Sequence, residues 1–119
     1  MQVIVAGSRN FTDYQFLSNK LTHLFSRCAS SVGIVSGTAR GADRLGERYA
    51  AEYGMRVTRF PADWDRYGKS AGYRRNAAMA QFADGLVAFW DGVSPGTGHM
   101  VDLARAAGLR VRVVRIQAH

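Results

Sequence analysis

Three glycine-rich segments carry the residue types that hold a phosphate group. They are Gly7-Ser8-Arg9, Ser36-Gly37-Thr38-Ala39-Arg40-Gly41-Ala42-Asp43 and Trp90-Asp91-Gly92-Val93-Ser94-Pro95-Gly96-Thr97-Gly98. Glycine lets a backbone approach a ligand closely, and free N–H groups at a helix start offer partial positive charge. Arg9 and Arg40 add fixed charges to that arrangement, so the chemistry expected here is anion binding. Short strand-to-helix turns also favour Gly, Ser and Thr for their own geometry. The case therefore rests on two such helix starts meeting at one place. Two carboxylates lie in these segments. Asp43 either complements the dipole of the helix it opens or contacts a ribose hydroxyl, and Asp91 is a candidate general base. Trp64, Tyr67 and Trp90 either stack on a base or pack the core.

The elements that must position these groups follow from hydrophobic periodicity. Apolar runs of strand length occur at Val3-Ala6, Val32-Val35, Arg56-Phe60, Leu86-Trp90 and Val111-Ile116. Between them, helical stripes run through Leu17, Leu21, Leu24, Phe25 and Cys28, through Ala42, Leu45, Tyr49, Ala50 and Tyr53, and through Met100, Leu103, Ala104 and Ala107. A further helix is expected over Ala71–Phe82. Thr12 with Gln15 reads as a capping box, and Gly54 and Gly108 stand where helices stop. Short apolar strands alternating with helices predict one α/β domain over residues 1–119, a Rossmann-like three-layer sandwich. Its sheet has five parallel strands, and right-handed crossovers favour the order 3-2-1-4-5. Ligands bind such sheets outside the C-terminal strand ends, at the crevice between the first and fourth strands. The glycine-rich segments fall there.

Other readings are excluded or left open. Gly68-Lys69-Ser70 looks like the end of a P-loop, but Asp63 occupies the leading glycine position and no first strand precedes it. Gly96-Thr97-Gly98 begins a dinucleotide fingerprint that Val101 breaks, so an NAD-type site is not expected. His23, His99 and His119 are scattered and Cys28 is alone, which predicts no metal, no disulfide and no cofactor. Cys28 is expected to be a buried core thiol. No run approaches the ~18 apolar residues of a membrane span, no signal peptide is visible, and a cytoplasmic protein is expected. The net charge of +7, from 14 Arg and 2 Lys against nine acids, fits an anionic partner. Either a small phosphorylated ligand or single-stranded nucleic acid would meet that description. Arg110 and Arg112 share one face of the last strand, where charge discourages sheet-to-sheet association.

These segments, together with Phe11-Thr12-Asp13 and Arg75-Asn76 with Met79, resemble the SLOG superfamily. That superfamily groups the DNA-processing protein A and Smf proteins with the lonely-guy phosphoribohydrolases, and the match is to its small YspA-like branch. The resemblance implies a Rossmann-like domain whose loops hold nucleotides or nucleotide-derived molecules. It also implies a homodimer or higher oligomer, for which the chain offers Tyr73, Met79 and Phe82 on one helix. Lonely-guy enzymes cut the N-glycosidic bond of nucleoside monophosphates with an arginine and a glutamate. Arg75-Asn76-Ala77-Ala78-Met79 matches the segment holding the arginine, so the resemblance makes Arg75 the main functional candidate, with Asn76 in place of a lysine. The glutamate pattern does not transfer. Aligned on Gly96-Thr97, its position is Met100; aligned on Gly98, it is Asp102. Those positions differ by about 200° around a helix and cannot both face a ligand. The expected function is therefore binding of a phosphate-bearing nucleotide-type molecule, for sensing or sequestering. The alternatives are an N-glycosidase using Arg75 with Asp91 or Asp102, and a single-strand binder.

Overall fold

The computed structural model describes residues 1–28 and 31–117; His119 lies outside them. Five strands, β1 (Gln2–Gly7), β2 (Gly33–Ser36), β3 (Val57–Arg59), β4 (Gly85–Trp90) and β5 (Arg110–Arg115), form one parallel sheet in the order β3-β2-β1-β4-β5. This is the expected doubly wound order, with β1 and β4 side by side and Val5 opposite Val87. The long helices are α1 (Tyr14–Phe25), α2 (Ala42–Glu52), α4 (Ala71–Phe82) and α5 (Pro95–Ala106). A short α3 (Trp64–Tyr67) runs through a 3-10 turn, Gly68–Ser70, into α4.

Alternate residues of the central strands explain why the sheet is covered twice. Val3 and Val5 of β1, with Val87 and Phe89 of β4, pack into one apolar cluster with Leu17 and Leu21 of α1 and Tyr49 and Ala50 of α2. Ile4, Ala6, Leu86 and Ala88 face the other way, onto Met79 and Ala80 of α4 and Met100, Val101 and Ala104 of α5. Both faces are apolar, so these strands read as continuous runs rather than alternations. The edge strand β5 instead leaves Arg110 and Arg112 exposed.

Three local expectations are corrected. The cap of α1 is Asp13 rather than Thr12: its carboxylate accepts from Phe16 N at 3.1 Å, while Gln15 bonds Asn19 at 3.0 Å. α1 ends at Phe25, so Cys28 lies beyond the helix and is half-buried rather than a core thiol. Met79 is 1% exposed and belongs to the monomer core, which leaves only Tyr73 and Phe82 of the expected association face exposed. The helix stops are as expected, with Gly54 at φ +67° and Gly108 at φ +78° just past α2 and α5. Among the described residues, no helix is long and apolar enough to cross a membrane.

Candidate functional site

A cleft of about 470 Å³ opens over the C-terminal ends of β1 and β4. Gly7, Ser8 and Arg9 line it from the β1 loop, and Arg40 and Asp43 from the start of α2. Asp91, Gly96 and Thr97 come from the β4 loop and the first turn of α5, and Arg75 and Asn76 from α4. Gly37 and Thr38 line a second hollow beside it. Ser36, Gly41, Trp90, Gly98 and Asp102 line neither. Ser36 is fully buried; its hydroxyl donates to Glu47 at 2.6 Å and accepts from Thr38 N at 3.0 Å, which fixes the loop. The indole of Trp90 lies against Gly98 and donates to Ser94 O at 3.0 Å, so it packs the loop and is not offered to a ligand. Trp64 and Tyr73 are different. Both line the cleft with about half of their surface exposed, 51% and 49%.

Gly37 lies between Arg75 and Asp43. A Cβ built there would stand 2.8 Å from an Arg75 guanidinium nitrogen and 2.8 Å from Asp43 Oδ2. Any side chain at this position would have to displace one of these two groups. Arg75 is half-buried; its Nη1 donates to the Gly37 carbonyl and its Nε to Asn76 Oδ1 at 2.9 Å. Asn76 in turn donates to Gly96 O at 3.3 Å and meets His99 Nδ1 at 3.2 Å, tying α4 to α5. Burial draws the Arg75 pKa down, while Asp43 opposes the shift.

Asp43 is only 5% exposed, and burial pushes its carboxyl up from the ordinary 3.8 to about 6, against the opposing effects of Ala39 N–H and Arg75. The folded pKa is raised, so the stability it contributes is complete below the ordinary value and is lost as pH rises through about 6. Asp43→Asn should abolish that loss while keeping an acceptor for Ala39 N, 3.2 Å away. Melting followed from pH 4 to 8 should show the variant gaining on wild type between about pH 4 and 6 and holding that gain above it, by at most about 3 kcal/mol at 1.36 kcal/mol per pKa unit. Parallel pH profiles for the two proteins would contradict this.

The β4 loop holds its carboxylate differently. Asp91 Oδ1 accepts from Val93 N at 2.9 Å and Ser94 N at 2.8 Å, and Oδ2 accepts from the Ser94 hydroxyl at 2.8 Å. The Ser94 and Val93 amides pull its pKa down to about 2. Ser94 Oγ also lies 3.2 Å from Ser8 Oγ, joining the β1 and β4 loops. A carboxylate so committed is a weak base at neutral pH. On α5, Thr97 and Met100 are buried and line the cleft, whereas Asp102 is exposed outside it. The Gly96-Thr97 register is therefore the one that faces the cleft, and α5 sends no carboxylate into it.

The model of the YspA, cpYpsA-related SLOG family matches residues 1–67, more than half of the chain. The Gene 61 protein of Mycobacterium phage D29 is 36% identical over 118 residues, covering 92% of this chain and 93% of that protein. The chain belongs to the YspA, cpYpsA-related SLOG family. Membership ties this SLOG domain to nucleotide-related ligands at a general level.

The stretch matched by the SLOG model carries Ser8, Arg9, Gly37, Arg40 and Asp43, while Arg75, Asn76, Asp91 and Thr97 lie beyond it. The cleft joins both sets. Sequence reasoning missed Lys69 and Tyr73 as cleft residues. Lys69 sits in the Gly68-Lys69-Ser70 turn, which is no P-loop yet delivers an exposed ammonium to the cleft. A signal for this face existed in the helical spacing of Gly72, Asn76 and Met79 around Arg75.

Proposed function

We propose that this SLOG domain binds the phosphate end of a nucleotide or nucleotide-derived small molecule in the cleft, as a sensing or sequestering module. The observation that carries the reading is the convergence of Arg9, Arg40 and half-buried Arg75 on the strand-end cleft. Guanidinium groups pair with phosphate through paired, charge-assisted hydrogen bonds. Thr97 at the start of α5 would meet the same phosphate with its amide and hydroxyl. Trp64 and Tyr73 would meet the base. A homodimer belongs to the same proposal, with exposed Tyr73 and Phe82 of α4 available to it.

One observation favours a second reading, hydrolysis of the N-glycosidic bond. Asp43 sits in the cleft with its pKa raised to about 6, close to where an acid–base group works best at neutral pH. In that reading Asp43 takes the role first considered for Asp91 and Asp102. The test is calorimetric binding of a panel of nucleoside monophosphates beside an assay for released free base. The module reading expects binding without turnover. Asp91→Asn and Asp102→Asn should change affinity less than about threefold, since neither carboxylate is placed to receive a phosphate. Base release by wild type that disappears in Asp43→Asn, with binding retained, would replace the module reading by the hydrolase.

A further inference from the structure

Beside the cleft lies a second hollow, of about 590 Å³, lined by Gly37, Thr38, Ala39, Pro61 and Ala62. Arg9, Arg40, Arg75 and Trp64 line both spaces, so the three guanidinium groups form the divide between them. Arg9 and Arg40 are exposed, and among the described residues neither side chain makes an ion pair or a hydrogen bond. Two carboxylates also line the cleft: Asp43, set beside Arg75 at Gly37, and Asp91, whose oxygens are taken by Val93 N, Ser94 N and the Ser94 hydroxyl. Arg9 and Arg40 therefore face the two spaces with no carboxylate partner among the described residues, beside an Arg75 that has Asp43 as its neighbour.

One phosphate monoester meets that divide from one side only and leaves the second hollow unused. A diphosphate spans such a divide and offers oxygens to both sides. The second hollow is also far larger than a terminal phosphate needs, and Pro61, Ala62 and the indole of Trp64 give it an apolar wall. Resting on the nucleotide reading above, we propose that the ligand is a nucleoside diphosphate ester. Its nucleoside lies in the cleft, its diphosphate at Arg9, Arg40 and Arg75, and its second esterified group in the hollow beside Pro61 and Ala62. The ligand is bound intact, and no bond is made or broken in this proposal.

The test is calorimetry with three matched series: AMP, ADP and ADP-glucose; UMP, UDP and UDP-glucose; GMP, GDP and GDP-mannose. Within the series whose base the cleft accepts, affinity should rise at least tenfold from monophosphate to diphosphate and again, by several-fold, on adding the sugar. Arg40→Ala should flatten the first step. Ala62→Trp, which fills the second hollow, should remove only the second, and melting curves would show that both exposed or half-exposed sites tolerate the change. A monophosphate that binds as tightly as its diphosphate and diphosphate sugar overturns this proposal and leaves the nucleotide reading standing. Equal weakening of all three ligands by Ala62→Trp also overturns it. Absence of binding across all nine compounds removes both.

Discussion

Arg75→Ala should weaken nucleoside monophosphate binding by roughly 10- to 150-fold, corresponding to about 1.5–3 kcal/mol for one lost charge-assisted hydrogen bond. The expectation rests on how the guanidinium is held. The Gly37 carbonyl and Asn76 Oδ1 each take one of its donors, which aims the remaining N–H groups at the cleft without leaving rotamer freedom to be lost on binding. Arg75→Lys retains the charge but cannot supply that fork, so it should recover only part of the affinity. Calorimetry on the three proteins, with melting curves to confirm folding, measures this. An Arg75→Ala protein that folds and binds like wild type would remove Arg75 from the site.

The largest effect on stability is expected from Gly41→Ala. Gly41 adopts φ +82° and ψ −132° as the N-cap of α2, a region closed to residues with a side chain. A Cβ there would also stand 2.6 Å from the Arg9 carbonyl oxygen. Backbone strain of about 1–2 kcal/mol and overpacking of about 1–3 kcal/mol together predict a loss of about 3 kcal/mol. In a domain of this size that lowers the melting temperature by roughly 10 °C. Thermal denaturation within a degree or two of wild type would refute the account. Because the clash is with the β1 loop, the change should also reduce ligand affinity by displacing Arg9.

The fold was legible because two independent constraints agree. Five apolar runs separated by helical stripes require a parallel sheet, and crossover handedness leaves few orders for it. Local detail was less so. Thr12 and Asp13 both have capping side chains, and only the geometry at Phe16 N decides for the carboxylate. In the site, loop composition pointed to the right segments, but the state of each carboxylate depends on neighbours remote in sequence. Burial raises the Asp43 pKa against the pull of Arg75, while amides of its own loop lower that of Asp91. Both read simply as Asp in a glycine-rich segment. Trp90 was ambiguous for a related reason: the approach of Gly98 and the hydrogen bond to Ser94 O show that its ring has partners.

The pairing of β1 with β4, Val3 opposite Gly85 through Gly7 opposite Phe89, joins the first strand to the second half of the chain and places the cleft at their junction. Such non-local pairing is slow to form, because a long loop must close before any contact rewards it. The cleft does not exist in a chain that has assembled only β1, β2 and α2, since Arg75, Asn76 and Thr97 arrive with the second half. A bound ligand therefore acts on the finished molecule alone. It lengthens the lifetime of the native state by slowing unfolding, and leaves the rate of folding almost untouched.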